Sequence, residues 1–352
     1  MPWTCPLHTK NKVNRAGAII AGREKPTADF TYDEAMDVAG NWRSSHGYPL
    51  QSVWTTLRVR AKNVDPKSLV AKRQKRMPSI IAKLARFDDM QLARMHDLGG
   101  CRAVVSSVRR VDKLVKMYAD QPLKTLEFVK PYDYIREPKD DGYRSVHLVY
   151  KYQGDSQNGA FRGLRIEIQI RSRLQHAWAT ALETIDAFTG QSLKASGGED
   201  TWRRFFALIS TAIAKHEKRA PVPNTPTRMD TLISEICDLC VQLKIPGVFE
   251  GISAGLEIAP KMRLAKKQKA EAYLLTLDSK ERVTVVTAFV NNKEAEEKLL
   301  ESEKENLDKP HIQTVMASAN SIQSLRTAYP NYFLDTDMFI GFVTRLIQKN
   351  AN

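Results

Sequence analysis

From residue 164 to residue 172 the chain alternates without a break. Ile166, Ile168 and Ile170 fall on one side of an extended backbone, and Arg165, Glu167, Gln169 and Arg171 fall on the other. A period of two belongs to a strand; a helix would scatter the isoleucines around its axis. A strand with one wholly aliphatic face needs neighbouring strands and a covering layer, so the chain must build a sheet with helices packed on it. The flanking pattern supplies both. Strands are predicted over 101–107, 124–129 and 145–152, with helices over 31–62 (interrupted at His46-Gly-Tyr-Pro49), 111–119, 174–188 and 202–216. Beyond these come a helix over 229–243, a basic patch over 261–269 and strands over 272–277, 282–289 and 312–317. A charged helix over 293–305 and helices near 321–328 and 336–348 complete the pattern. Elements in this order define an α+β class: a mixed β-sheet flanked by helices, followed by a smaller C-terminal α/β regulatory domain.

Charge divides the chain in two. The 54 Lys and Arg against 40 Asp and Glu give a net charge of +14. Residues 221–352 hold 16 basic and 17 acidic side chains, leaving 38 basic and 23 acidic, a net of +15, in residues 1–220. The switch falls on Arg219-Ala-Pro-Val-Pro-Asn-Thr-Pro-Thr227, where three prolines stop a helix and favour an extended connector. Two domains are expected, 1–220 and 221–352. The basic one suits nucleotides, nucleic acid or another anionic partner. The longest apolar run, at 283–290, is far short of the ~18–20 residues of a membrane-crossing helix. Residues 1–12 have no apolar signal-peptide core, so a cytoplasmic protein without membrane contact is expected. The four cysteines do not form a disulfide framework. Cys237-Asp-Leu-Cys240 lacks the second ligand pair of a zinc site and lies in an apolar helical run, so thiols and no structural zinc are expected.

A surface sheet could carry the polar face of 164–172 as well as a site could. Three neighbours favour a site. Asp97 enters a strand in Met-His-Asp-Leu-Gly-Gly-Cys-Arg102, where two glycines permit close backbone approach. The run from Lys72 to Lys83 offers several cations for phosphates. Gly142-Tyr143-Arg144-Ser145 presents an aromatic ring on a turn just before His147. Two carboxylates, many cations and a stacking ring are what a Mg2+–nucleotide site needs, since Mg2+ takes one or two carboxylates plus phosphate oxygens.

Asp97-Leu-Gly-Gly-Cys-Arg102, Asp133-Tyr-Ile-Arg-Glu-Pro-Lys-Asp-Asp-Gly-Tyr-Arg-Ser-Val-His147 and Glu167-Ile-Gln-Ile-Arg-Ser172 together resemble the synthetase domain of the RelA/SpoT homologues. The resemblance implies a nucleotidyltransferase-like sheet and Mg2+-dependent transfer of the ATP β,γ-pyrophosphate to a 3′-hydroxyl, with AMP released. It implies metal binding by Asp97 and Glu167, with Glu167 also taking the hydroxyl proton. It assigns Arg73, Lys75, Ser79 and Lys83 to ATP, and Tyr143, His147 and Gln169 to the acceptor. Tyr132 and Asp141 depart from it, standing where the family usually has Lys and Asn. Both positions belong to the acceptor side.

Two acceptors are therefore open: GDP or GTP, giving (p)ppGpp, and the 3′-CCA end of tRNA. The charge of residues 1–220 favours the larger polyanion. Trp42-Arg-Ser-Ser-His-Gly-Tyr-Pro-Leu50, Arg173-Leu-Gln-His-Ala-Trp-Ala-Thr-Ala-Leu-Glu183 and Ala328-Tyr-Pro-Asn-Tyr-Phe-Leu-Asp335 resemble the CapRel-type fused toxin–antitoxins of anti-phage defence. That resemblance implies a C-terminal antitoxin, pseudo-zinc-finger-like, whose Tyr329 and Tyr332 block the nucleotide site until a phage major capsid protein binds. The alternative is that both tyrosines pack their own small domain.

Overall fold

The isoleucines at 166, 168 and 170 fix where the core lies. The computed structural model describes residues 3–154, 158–189, 200–245, 247–253, 256–261, 270–309, 311–317, 325–327, 329–333 and 335–348. Arg165–Ser172 (β5) is the middle strand of a five-stranded sheet, and all three isoleucines are fully buried. The strand order is Leu69–Gln74 (β1), Gly99–Val105 (β2), β5, Val146–Tyr152 (β4) and Leu126–Asp133 (β3). Only β2 and β5 run parallel; the other neighbours are antiparallel. The expected mixed sheet flanked by helices is therefore present.

Five helices share one hydrophobic core with the isoleucine face: Lys10–Ile20 (α1), Tyr32–Ser44 (α2), Gly47–Val64 (α3), Met77–Arg86 (α4) and Val108–Asp120 (α5). A capping box starts α2, with Thr31 Oγ1 accepting from the Glu34 N–H and Glu34 accepting from the Thr31 N–H. The break expected at 46–49 falls between α2 and α3, but Pro49 lies inside the first turn of α3, where a missing N–H breaks no helical bond. The dense basic run before residue 87 is not one solvated face. It splits into β1 and α4, because Lys72 and Arg73 lie on an edge strand while Ile80 and Leu84 give α4 a buried stripe.

Arg173–Thr189 (α6) and Asp200–Glu217 (α7) follow β5 and open a second core. Trp178, Phe205 and Phe206 pack there with residues from Met229–Gln242 (α8), Gly247–Ser253 (α9) and a second sheet. That sheet runs Glu257–Lys261 (β6), Val283–Phe289 (β8), Ala272–Asp278 (β7), Ile312–Ala317 (β9). Asn292–Glu305 (α10) packs on it, and Asp337–Gln348 (α11) packs against α6 and α8. One apolar cluster thus joins α6 and α7 to the C-terminal elements. The proline-rich connector runs along α7: the Val222 N–H donates to Thr211 Oγ1 at 3.0 Å, and Lys215 donates to the Thr227 carbonyl at 2.5 Å.

Cys240 is buried on α8. Among the described residues no group of three or more His, Cys, Asp and Glu is placed to hold a metal, and no helix is long and apolar enough to cross a membrane. Most of the basic patch, 262–269, and most of the helix expected near 321–328 lie outside the described residues.

Candidate active site

The polar face of the sheet presents two adjacent rows. One runs Ala71, Arg102, Gln169, His147, Tyr132; the other runs Arg73, Gly100, Glu167, Val149, Lys130. At Gly100 the second row has no side chain, and an added Cβ would meet nothing nearer than 4.0 Å, so a hollow opens between Arg73 and Glu167. Its neighbour Gly99 points the other way, where a Cβ would come within 2.8 Å of Ile166. Only Gly100 faces the hollow; Gly99 is needed for sheet packing, which corrects the shared role the sequence suggested. Gly142 is fixed by the turn it occupies: its φ is +87°, and a Cβ would sit 2.9 Å from Ser210.

The hollow has a volume of about 50 Å³ and is walled by Lys72, Arg73, Lys75, Asp97, Arg102, Glu167, Gln169 and Tyr329, among others. Both candidate metal ligands therefore line one cavity. Lys75 Nζ donates to Asp97 Oδ2 at 2.8 Å, and Lys83 Nζ to Oδ1 at 2.9 Å. Burial alone would raise the Asp97 carboxyl; the two ammonium groups outweigh it and hold Asp97 well below the usual carboxylate range. Glu167 is gripped from both sides, by His147 Nδ1 at 2.9 Å and Gln169 Nε2 at 2.7 Å. Burial opposes ionisation of Glu167 too, and His147 overcomes it. Burial would likewise neutralise His147, but Tyr143 and Glu167 push it up to about 9, so it is an imidazolium at neutral pH. Its Nε2 donates to the Tyr143 oxygen at 2.9 Å. Tyr143, His147, Glu167 and Gln169 form one chain of contacts ending at the cavity. Ser79 stands apart, in the first turn of α4, and does not line the cavity.

The carboxylates suit a hard cation. Asp97 and Glu167 supply oxygen donors to one small space, and the number matches what Mg2+ takes from protein when phosphates supply the rest. Lys75 and Lys83 already pair with both oxygens of Asp97.

Arg102 is a wall residue that the sequence reasoning did not single out. Arg102 carries a usable signal, two positions after Gly100 on the same strand face. Outside the cavity, edge strand β3 presents a ring ladder. Tyr132 and Tyr134 stack at 5.8 Å and 13°, and Tyr134 meets Tyr143 edge-on at 5.9 Å. Lys130 lies 4.6 Å over Tyr132, and Lys139 lies 4.4 Å over Tyr134.

The C-terminal segment reaches this site. Tyr329 precedes a turn of 3-10 helix, Pro330–Tyr332, and its hydroxyl donates to the Lys72 carbonyl at 2.5 Å. Tyr332 is 1% exposed, and its carbonyl accepts from Thr284 at 2.6 Å. Burial pushes the Tyr329 hydroxyl up to about 12 despite the nearby Arg102 and Arg73.

Residues 72–186 match the family described as "Region found in RelA / SpoT proteins". The GTP pyrophosphokinases YwaC and YjbM of Bacillus subtilis (strain 168) are each 32% identical to the chain over 117 residues. Those stretches cover 31% and 33% of this chain. The chain spans about half the length of these curated relatives, 52% and 54%. Similar solved structures include small alarmone synthetase 1 of Bacillus subtilis bound to its product pppGpp, at 26% identity and a TM-score of 0.40, over 48% of this chain and 90% of that one. A GTP pyrophosphokinase family protein of Streptococcus pneumoniae follows at 23% identity and a TM-score of 0.42, over 55% and 91%. The region found in RelA/SpoT proteins thus coincides with the stretch from β1 to α6 that builds the cavity.

Proposed function

We propose that the chain is an ATP-dependent pyrophosphate transferase held closed by its own C-terminal part, with 1–220 as the catalytic domain and 221–352 as the regulatory one. The observation that carries this is the shared cavity: Asp97 and Glu167 line it together, with Arg73, Lys75 and Arg102 beside them. The acceptor's 3′-oxygen attacks the β-phosphorus of ATP. The bond from that phosphorus to the oxygen shared with the α-phosphorus breaks, AMP leaves, and the hydroxyl proton passes to Glu167. Arg73, Lys75 and Lys83 neutralise the triphosphate, and Ser79 offers its N–H in the first turn of α4. Mg2+, held by Asp97 and Glu167, would polarise the phosphoryl oxygens and acidify the hydroxyl. Tyr143 stacks on the acceptor base, and His147 with Gln169 orients Glu167.

The acceptor is a guanosine di- or triphosphate, the reading supported by the names of the curated relatives. The Tyr132–Tyr134 ladder and its two lysines favour a second reading, the 3′-CCA end of tRNA, because stacked rings and cations suit a short run of unpaired bases.

Tyr329 is the plug. A nucleotide pocket needs about 300 Å³ or more, and the cavity under Tyr329 holds about 50 Å³. Withdrawing the Tyr329–Tyr332 turn would open it, and the resemblance of the 328–335 tail to CapRel favours a phage major capsid protein as the agent. The test is ATP labelled in its β-phosphate, given with GDP or bulk tRNA to the chain and to its Tyr329→Ala, Tyr332→Ala form. Label in guanosine nucleotides supports the first reading and label in tRNA the second. Label in neither, with the doubly substituted chain, ends the transferase assignment.

A further inference from the structure

A second contact, besides the tyrosine plug, joins the C-terminal part to the segment that carries Arg73, Lys75, Ser79 and Lys83. Glu303, on α10, is 6% exposed. Its Oε2 accepts from Arg43 Nη1 at 2.5 Å, and its Oε1 accepts from the Met77 N–H at 2.9 Å. Met77 is the first residue of α4, a helix whose N-cap, Arg76, supplies no side-chain acceptor. One carboxylate from 226 residues away therefore does the capping.

The receiving pocket is built for an anion. Arg43 is 1% exposed. Within residues 1–220, the only acceptor it meets among the described residues is the Lys75 carbonyl, at 3.4 Å, and its Nε is buried without a partner. A buried guanidinium so poorly paired by its own domain is costly to leave alone. Two residues past Met77, Ser79 places another N–H in the same turn.

We propose that Arg43 and the amino end of α4 form an anion pocket in which Glu303 stands in for a phosphate group, so that the C-terminal part and a polyphosphate compete for it. This rests on reading β1 and α4 as the donor's phosphate-holding segment. Both oxygens of Glu303 are used as a phosphate's would be, one on a guanidinium and one on a helix-end N–H. The plug and the stand-in grip one segment at two points, the Lys72 carbonyl and the Met77 N–H. Lys304, beside Glu303, pairs with Asp37 on α2 at 3.0 Å and keeps α10 in register.

The test uses the full chain and inorganic tripolyphosphate, with binding followed by calorimetry. Glu303→Gln keeps the shape and removes the charge. It should bind tripolyphosphate about tenfold more tightly than the unsubstituted chain, within the usual range for coupled sites. Adding Arg43→Gln should abolish that gain. Equal affinity in the two chains, or a gain that survives Arg43→Gln, overturns the proposal. Should either variant fail to fold, the unsubstituted chain answers: tripolyphosphate should speed amide exchange over 292–305, and unchanged exchange there overturns the competition. Neither readout is turnover. A chain that transfers no pyrophosphate but shows the competition loses only the transferase reading, and the reverse result loses only this one.

Discussion

Glu296 allows a pH test of how the C-terminal part is held. It sits on α10 between two cavities, one shared with Asp37, Lys293, Glu297, Glu303 and Lys304, the other with Lys72 and Arg73. Burial pushes its carboxyl from the ordinary 4.5 up to about 7, against the pull of Arg43 and Lys72, with Glu297 adding to the rise. A carboxyl raised on folding binds its proton more tightly in the folded chain. Its contribution to stability is therefore complete below pH 4.5 and is lost as pH rises towards 7. At ~1.4 kcal/mol per pH unit the difference comes to about 3 kcal/mol, and partial exposure brings it nearer 2 kcal/mol. Glu296→Gln should come within about 1 kcal/mol of the unsubstituted chain at pH 5 and be clearly more stable at pH 8. At ~2 °C per kcal/mol, the transition that includes the C-terminal elements should rise by about 4–6 °C. Thermal unfolding of both chains at pH 5, 6, 7 and 8 measures this. A variant less stable at pH 8, or a difference that ignores pH, refutes the reasoning: Glu296 would then be a paired carboxylate that Lys72 needs.

Two further outcomes concern the cavity. Tyr329→Ala with Tyr332→Ala should raise AMP release at least tenfold, because the plug then no longer fills the space beside Arg73 and Arg102. The two lost rings should also lower stability by ~3–5 kcal/mol each if truncation follows other buried aromatics; unchanged AMP release from a folded variant counts against the plug. Glu167→Gln should cut that released activity by ~100-fold or more, the usual worth of a general base, with the melting curve little changed; full activity would remove Glu167 from the chemistry.

What the sequence disclosed depended on whether a local pattern matched its environment. Ile166, Ile168 and Ile170 announce β5 because alternation and burial agree there. β1 was hidden because Lys72, Arg73 and Lys75 look like a solvated stretch. The Arg73 and Lys75 charges instead border a cavity closed by a tyrosine more than 250 residues away, while the Lys72 ammonium turns to the other face of the sheet, onto Gln51 and Trp54. Asp97 and Glu167 could be named from their motifs, but not the state in which each is already occupied by lysines or by an imidazolium. Arg43 with Glu303 was the least legible pair, since α10 reads as a charged surface helix. Even so, α10 carries a clue. Its buried residues are Ala295, Leu299 and Glu303, spaced four apart along one stripe. An acid in line with alanine and leucine cannot be there for solvent. Burying it demands a cation and a donor from elsewhere in the chain. Once that burial is known, the stripe requires that the helix docks and that its dock is positive, though it leaves the partner unnamed. The partner follows only from the fold, which brings the one poorly paired guanidinium of α2 to the uncapped start of α4.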